Sequence, residues 1–221
     1  MKTSYKTFKP FFDILPCSQQ MVWPKLKAAS ELGFVLYGGT AIALRLGHRI
    51  SIDFDFFTEK NIEKQKLLEY FPFITECTIL QEELNTLSLL TPSNVKLSFF
   101  GGINFGRFSN PEFTEDHTLL VASLDDLMAT KLKVILQRIE AKDYKDIAAM
   151  LKNGLKLERG LALAKKMYGN NFQPSESLKA MVYFKGGDLD TLTHDEKKIL
   201  IDFASRVTEL PQLTIAQQTL S

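Results

Sequence analysis

Two aspartates, Asp53 and Asp55, are separated by one residue inside an otherwise apolar segment that runs from Ile50 to Phe57. Successive side chains of a β-strand point to opposite faces, so a strand here places both carboxylates on one face. The opposite face is predicted to consist of Ile50, Ile52, Phe54 and Phe56. The two aspartate Cα atoms would then lie about 6.6 Å apart. Carboxylates this close repel each other and resist burial, and a bound Mg²⁺ is the simplest physical reason to keep both.

A pair of glycines, Gly38 and Gly39, follows the short apolar run Phe34–Tyr37 and precedes a helical pattern over residues 41–46. Glycines at a strand-to-helix turn let the backbone approach a ligand closely, and the helix start offers free N–H groups to a phosphate. Thr40 is expected to cap this helix and adds a hydroxyl at the same place. A tight turn alone would also explain the glycines. Because sequential strands commonly neighbour each other, the turn and the carboxylates are expected to lie side by side.

The periodicity of the chain changes from mixed to helical at Ser123. Before this residue, helices are predicted at 19–32 and 58–70, and strands at 34–37, 50–57, 74–80, 86–90 and 95–100. Beyond it, helices are predicted at 123–138, 141–152, 157–167, 175–185 and 194–208. The pattern predicts an α+β fold, with a mixed β-sheet core and flanking helices over residues 1–122 and a helical C-terminal subdomain over residues 123–221 that completes the cleft.

Composition constrains the class of protein less than the motifs do. The 27 Lys and Arg residues balance 26 Asp and Glu residues, so the net charge does not indicate a protein that binds nucleic acid. It does not exclude a local basic patch. No segment approaches the roughly 20 apolar residues that a membrane helix needs. The only cysteines, Cys17 and Cys77, are far apart and favour a reducing compartment. We therefore expect a soluble cytoplasmic protein with no membrane partner.

The segment from Gly38 to Phe57 resembles the nucleotidyltransferase AbiEii/AbiGii toxin family, part of the DNA polymerase β-like nucleotidyltransferase superfamily. The residues that carry the resemblance are Gly38-Gly39-Thr40-Ala41, Leu44 to Ser51, and Asp53 to Phe57. It implies a nucleotidyltransferase fold that moves a nucleoside monophosphate from a nucleoside triphosphate to an RNA, including tRNA, or to a protein. It further implies Mg²⁺, or Mn²⁺ in its place, at Asp53 and Asp55. The family's role as a toxin of toxin–antitoxin or phage-defence systems implies an antitoxin protein as a partner.

A second block, from Asp126 to Asp146, also resembles the family through Lys131, Arg138 and the run Lys142–Asp146. On a helical wheel, Lys131 falls in the centre of an apolar stripe made by Leu124, Leu127, Met128, Leu132 and Ile135. A lysine there is costly unless it binds a ligand, reaches solvent or pairs with a buried acid. The ligand interpretation has Lys131 and Arg138 binding the phosphates of the nucleotide. Asp143 and Asp146 begin the next helix, where they are either functional or partners of the helix dipole.

The candidate site residues follow from these two blocks. Candidate catalytic residues are Asp53, Asp55, Lys131 and Asp143, and candidate nucleotide-binding residues are Gly38, Gly39, Thr40, Arg49, Lys131 and Arg138. Arg49, next to His48, either contacts phosphate and neutralises the carboxylates or caps the preceding helix.

One residue departs from the pattern of the superfamily, which often has a third carboxylate on a later strand. The strand predicted at 95–100 carries Ser98, together with Lys96, on the corresponding face. Glu82, Glu83 or Asp143 would have to act as the base, or the metal alone would activate the acceptor. The alternative function is therefore a catalytically impaired nucleotide-binding or interaction protein on the same scaffold.

Overall fold

The computed structural model describes residues 5–221, which form two compact units. The first unit comprises the described residues up to Gly106, together with Asn110–Ser123 and Gln217–Ser221. The second unit comprises Arg107–Ser109 and Leu124–Ala216. Within residues 5–221, no helix is both long enough and apolar enough to span a membrane.

An eight-stranded mixed sheet organises the described part of the first unit. Its strands are β1 (Thr7–Phe8), β2 (Val35–Tyr37), β3 (Asp53–Phe57), β4 (Thr78–Glu83), β5 (Thr86–Leu90), β6 (Lys96–Phe100), β7 (Glu112–Thr114) and β8 (Leu120–Val121). Their order across the sheet is β1-β7-β8-β2-β3-β6-β5-β4. Strand β3 therefore lies between β2, to which it is antiparallel, and β6, to which it is parallel.

The predicted alternation of side chains is confirmed over β3 itself. Phe54 and Phe56 are fully buried, and the ring of Phe56 stacks on that of Phe99 in β6 with centroids 5.2 Å apart. The prediction that Ile50 and Ile52 belong to the same buried face is wrong, since they are 65% and 59% exposed. Both residues precede the first paired residue of β3, and a backbone that is not held in the ladder has no reason to keep the two-residue alternation.

The first unit contains helices α1 (Cys17–Val22), α2 (Lys27–Glu31), α3 (Gly38–Leu46) and α4 (Lys64–Tyr70). The single helix predicted at 19–32 is interrupted by a 3₁₀ turn, Trp23–Leu26, because Pro24 has no N–H to donate to a continuous α-helix. Helix α4 begins six residues later than predicted, at Lys64.

The second unit contains helices α5 (Leu124–Val134), α6 (Ala141–Lys152), α7 (Leu157–Tyr168), α8 (Pro174–Val182) and α9 (His194–Ser205). The helices predicted for this half of the chain are all present, and their boundaries shift by no more than four residues. Their apolar stripes form the core of the unit, where Leu127, Leu132, Ile147 and Leu161 are fully buried. The α+β fold class is therefore confirmed.

Candidate active site

The glycine turn and the second aspartate of the motif are in contact. In the register of β2 and β3, Tyr37 pairs with Asp55, and α3 begins with Gly38 immediately after Tyr37. A Cβ atom on Gly38 would lie only 2.4 Å from Oδ2 of Asp55, and the φ angle of Gly38 is +74°. A side chain at position 38 would thus displace the carboxylate and strain the backbone. Glycine is required here because the carboxylate of Asp55 faces the turn.

Asp53 and Asp55 share one face of β3 and are both half-buried. The position of Asp53 is fixed through Thr40, whose hydroxyl donates a hydrogen bond to the backbone carbonyl oxygen of Asp53. The same hydroxyl bonds with that of Ser51 at 3.0 Å, and Thr40 is buried. The prediction that Thr40 caps α3 is wrong, because the helix already begins at Gly38. Its predicted contact with a phosphate stays a prediction, and the observed bonds give it a role in holding β3 against α3.

Arg49 lies against the other glycine of the turn. A Cβ atom on Gly39 would be 2.4 Å from Nη2 of Arg49, and Nη1 of Arg49 donates to the carbonyl oxygen of Ile50 at 2.9 Å. The guanidinium group is thus held at the start of α3, where helix N–H groups point out of the first turn. At the other end of α3, Gly47 closes the helix in the left-handed conformation, with φ +64°. The Arg49 side chain thus lies at the start of α3 and away from its Gly47 end, and its predicted contact with a phosphate stays a prediction.

Strand β6 brings Ser98 next to the aspartate pair. Across β3 and β6, Asp53 pairs with Lys96 and Asp55 pairs with Ser98. Ser98 is 1% exposed, and its Oγ has no hydrogen-bond partner among residues 5–221. An unpaired buried hydroxyl costs about 1–3 kcal/mol, so such a group calls for a polar partner beyond the protein's own side chains. The strand is where the sequence predicts it, and it brings a hydroxyl instead of a third carboxylate.

The residues present fit a divalent cation that is shared with a phosphate. The described residues contain no group of three or more His, Cys, Asp and Glu side chains that could enclose a metal ion. Mg²⁺ in phosphate-transfer sites is commonly held by one or two carboxylates, with phosphate oxygens and water as its other ligands. Asp53 and Asp55 supply such a pair, and the absence of a side chain at Gly38 lets the Asp55 carboxylate lie close to the backbone of the turn.

The second unit contains a buried ionic cluster around Lys131. Its Nζ lies 2.6 Å from Oδ1 of Asp143 and 2.7 Å from Oδ2 of Asp146, and both carboxylates are fully buried. Nε of Arg138 donates to Oδ2 of Asp143 at 2.8 Å, while the Arg138 side chain remains 44% exposed. The structure thus shows the pairing of Lys131 with buried acids, which the sequence left open as an alternative. The predicted binding of nucleotide phosphate by Lys131 and Arg138 stays a prediction.

The two cations set the charge state of Asp143. Burial alone would raise the pKa of this carboxyl, but the hydrogen bond from Arg138 and the charge and hydrogen bond of Lys131 outweigh burial and lower its pKa. Asp143 is therefore ionised at neutral pH and accepts hydrogen bonds from both cations. This one carboxylate holds both cations: Lys131 donates to Oδ1, and Arg138 donates to Oδ2 through Nε and to Oδ1 through Nη2.

Two residues outside the predicted set contribute to these arrangements. Ser51 is buried, bonds with Thr40, and would be 3.1 Å from a Cβ on Gly39. Asp146 completes the partners of Lys131 from one turn further along α6 than Asp143. The spacing of Asp143 and Asp146 was the available signal, because residues three apart share a helix face. Ser51 lies in the segment that carries the family resemblance, but no spacing or periodicity distinguishes it from an ordinary loop serine.

The fold and the carboxylate pair at a glycine turn define the class of protein, a nucleotidyltransferase-type α+β protein. The chain matches the model of the family described as nucleotidyl transferase AbiEii toxin, type IV toxin–antitoxin system, over residues 26–82 and 77–209. The chain belongs to this family. An uncharacterised protein of Aquifex aeolicus (strain VF5) is 35% identical over 155 residues, which cover 69% of this chain and 74% of that protein.

Two solved structures share the fold. One is a structure from H. pylori assigned as a nucleotidyltransferase, with a TM-score of 0.56 and 19% identity over 85% of this chain and 92% of that one. The other is MenT4, a nucleotidyltransferase toxin of Mycobacterium tuberculosis H37Rv, with a TM-score of 0.55 and 15% identity over 86% of this chain and 84% of that one. At these identities the similarity establishes the α+β nucleotidyltransferase fold.

Proposed function

We propose that this protein transfers a nucleoside monophosphate from a nucleoside triphosphate to an RNA acceptor such as tRNA, with a protein acceptor as the alternative. The observation that carries the proposal is the contact between the Asp55 carboxylate and Gly38, at the start of α3. It brings a metal-binding type of side chain and a phosphate-binding type of backbone to one point. Membership of the toxin nucleotidyltransferase family supports the same reaction.

Each candidate site residue of the first unit has a role in this proposal. The backbone N–H groups that begin at Gly38 and Gly39 bind the β- and γ-phosphates, and Arg49 neutralises part of their charge. Thr40 adds a hydroxyl at the same turn and fixes the carbonyl group of Asp53. Asp53 and Asp55 hold Mg²⁺, or Mn²⁺ in its place. When bound, the cation supplies neutralisation of charge on the triphosphate.

The proposed reaction is a displacement at the α-phosphorus. A hydroxyl oxygen of the acceptor forms a bond to this phosphorus, and the bond from the phosphorus to the oxygen that bridges to the β-phosphate breaks. The products are the nucleotidylated acceptor, pyrophosphate and the proton lost by the hydroxyl. A preorganised site accelerates such a reaction by positioning the reactants and by stabilising the negative charge that develops on the leaving group.

We propose that Lys131 and Arg138 neutralise the negative charge that develops on the leaving pyrophosphate. Their support is the sequence resemblance together with their rigid attachment to Asp143. The lowered pKa of Asp143 makes this carboxylate a weak base, so we assign to it the orientation of the two cations instead of proton removal. Because a transition-state contact depends on precise placement, an orienting carboxylate is part of the catalytic requirement.

The family supports a further part of the proposal, namely that the protein is a toxin whose action an antitoxin protein counteracts. A reaction that consumes nucleoside triphosphates and RNA belongs in the cytoplasm, which is the location that we propose.

The test is label transfer by the purified protein. It is incubated with Mg²⁺, total RNA and each of the four nucleoside triphosphates, labelled in turn at the α-phosphate. We expect label to enter RNA with at least one triphosphate, and to stay at background for Asp55→Asn and in excess EDTA. The exposed Asp190→Asn variant is the matched control and retains transfer.

A different outcome would favour the alternative function. If the protein binds a nucleoside triphosphate in the presence of Mg²⁺ but labels neither RNA nor its own chain nor added protein, the reaction that we propose is excluded. The protein would then be a nucleotide-binding member of the family. The observation that favours this alternative is Ser98, which stands beside Asp55 where a third carboxylate would supply a base.

A further inference from the structure

A pocket with a cavity volume of about 480 Å³ opens in the second unit, between the connection from α5 to α6 and helix α8. Its apolar wall includes Ile135 and Tyr144, which are 3% and 2% exposed. The hydroxyl of Tyr144 donates to the carbonyl oxygen of Ala180 in α8 at 3.2 Å. This space, which we call the tyrosine pocket, falls within the range of roughly 300–1,000 Å³ typical of small-ligand sites.

The segment that follows α8 closes one side of the tyrosine pocket against Ile139. A Cβ atom on Gly187 would lie 2.1 Å from the carbonyl oxygen of Ile139, so only glycine allows this approach. The next residue, Asp188, accepts a hydrogen bond from the backbone N–H of Ala141 at 2.6 Å and anchors the segment to the start of α6. Both contacts attach the segment that follows Tyr183 and Lys185 to the connection between α5 and α6.

Positive charge surrounds the mouth of the tyrosine pocket. Arg138, Lys179 and Lys185 contribute to its lining, against one acid, Glu176. Lys179 bonds to Glu176 at 3.0 Å, and Arg138 bonds to Asp143. Lys185 is exposed and makes no ion pair with any residue between 5 and 221. A solvent-exposed cation beside an apolar space suits a ligand with an anionic group next to a planar apolar one.

An exposed aromatic ring lies at the same mouth. Tyr183 lines the pocket and is 60% exposed, and Ile139 beside it is 48% exposed. Exposed apolar surface that adjoins a pocket is one of the features that mark ligand-binding grooves. Aromatic side chains are the platforms on which the bases of single-stranded nucleic acids stack, while lysines contact the phosphates that link those bases.

These features point to one occupant, and we infer that the tyrosine pocket binds a nucleotide of the single-stranded part of the RNA acceptor. The base enters the apolar space and stacks on Tyr183, and an adjoining phosphate lies on Lys185. This inference rests on the proposed function, because it assigns the acceptor of that reaction. An acidic peptide could use the cations but would leave the apolar interior and Tyr183 without a planar partner.

The binding test uses fluorescein-labelled single-stranded RNA of eight nucleotides, with no triphosphate present, and fluorescence anisotropy. We expect Tyr183→Ala to weaken binding at least about five-fold, the lower end of the effect of one stacked base, while Tyr183→Phe binds as the wild type does. Lys185→Gln should reduce the slope of log K against log salt concentration by about 0.7, the value for one phosphate contact on a single strand. Tyr70→Ala and Lys198→Gln, both at exposed positions, are the matched controls and bind normally.

Two competing ligands identify what the pocket recognises. An abasic strand of the same length carries the same phosphates, and we expect it to bind weakly and to be insensitive to Tyr183→Ala. An aspartate- and glutamate-rich peptide should not displace the labelled RNA. Equal binding of abasic and normal RNA, or displacement by the peptide at similar concentrations, would overturn the inference.

The transfer assay separates this inference from the proposed function. If both hold, Tyr183→Ala raises KM for the RNA and leaves KM for the nucleoside triphosphate unchanged. Transfer with an unchanged KM for RNA in this variant would overturn the inference and leave the function standing. Loss of RNA binding in the variant, with no transfer by the wild type under any triphosphate, would overturn the function and support the pocket as an RNA site.

Discussion

Gly38 is the residue whose small size matters most at the candidate site. Replacement by alanine is expected to move the Asp55 carboxylate, since the new Cβ would lie 2.4 Å from Oδ2, and to impose a positive φ on a residue with a side chain. We expect Gly38→Ala to lose about 1–2 kcal/mol of folding free energy from the backbone alone and to lose nucleotidyl transfer as well. Urea unfolding and the label-transfer assay measure the two effects.

The control for Gly38→Ala is Gly154→Ala. Gly154 also has a positive φ, +92°, but among residues 5–221 no atom outside the glycine and its two chain neighbours lies within 4 Å of the position of its Cβ. This variant should lose a similar amount of stability and keep its activity. Equal activity of the two variants would show that the contact between position 38 and Asp55 is not required.

The lowered pKa of Asp143 predicts that the free energy of unfolding depends on pH. Its pKa is lowered in the folded protein, so its stabilising effect is complete above the unfolded value of about 3.9 and is lost as the pH falls through the lower folded value. Asp143→Asn leaves two cations with one carboxylate fewer, and we expect a loss of about 3 kcal/mol at pH 7. The difference between variant and wild type should shrink as the pH falls below about 4.

The measurement is urea unfolding of both proteins between pH 7 and pH 3. Asp190→Asn, at an exposed position, serves as the control and should show no pH-dependent difference from the wild type. A difference for Asp143→Asn that stays constant across this range would show that ionisation of the carboxyl does not account for its effect.

At the scale of elements, one side chain fastens α3 to the sheet. Arg45 donates from Nε to the carbonyl oxygen of Ala122 at 2.8 Å and from Nη2 to that of Val121 at 3.0 Å. Its Nη1 lies 2.7 Å from Oε2 of Glu112, and its guanidinium lies over the ring of Phe8 at 4.2 Å. Since α3 begins with the glycine turn, the same side chain stabilises the element that carries the proposed phosphate site.

We expect Arg45→Met to lower the stability by about 2 kcal/mol, because it removes hydrogen bonds made by a mostly buried charged group. In a protein of this size that corresponds to a fall in Tm of about 4–8 °C, measurable by circular dichroism. Glu112→Gln keeps both bonds from Arg45 to the backbone and should cost less than half as much. A larger loss in the glutamine variant would assign the effect to the ion pair alone.

The helices and strands that were predicted well from the sequence are those with long periodic patterns of apolar residues. Helix α6 occupies the predicted range, 141–152, because its buried positions recur at helical spacing over three turns. Strands β1, β7 and β8 were not predicted, since two or three residues are too few to show an alternation. The break between α1 and α2 at Pro24 was missed because the apolar spacing continues through it.

The candidate site was predictable to the extent that it lies within one strand and one turn. Spacing alone predicted that Asp53 and Asp55 share a face, and chain order predicted that β2 neighbours β3. The contact of Arg49 with Gly39, and the bond from Thr40 to the backbone of Asp53, depend on side-chain conformations that no periodicity encodes. The ionic cluster of Lys131 required knowing how α5 packs on α6.

At the scale of the whole molecule, the residues after 216 belong to the first unit, although the preceding helices belong to the second. Leu220 is 1% exposed, and its backbone N–H donates to Oε2 of Glu59, two residues beyond the end of β3, at 3.1 Å. We expect Leu220→Ala to destabilise the protein by about 2 kcal/mol through the cavity that it leaves.

Leu210→Ala is the matched control, because Leu210 is 37% exposed and its truncation should change the unfolding midpoint little. Thermal unfolding of the two variants at one pH makes the comparison. Similar unfolding midpoints for both variants would show that Leu220 does not contribute to the stability of the first unit.

Because residues 217–221 belong to the first unit, the order in which the chain is synthesised also matters for this unit. The aspartate pair is synthesised early, but the residues that pack beside Glu59 emerge only after all of the second unit has been made. A nascent chain therefore cannot complete the contacts of its first unit before residues 217–221 have been synthesised. The segment just after β3 thus gains its hydrogen bond from Leu220 only after the last helix of the second unit has been synthesised.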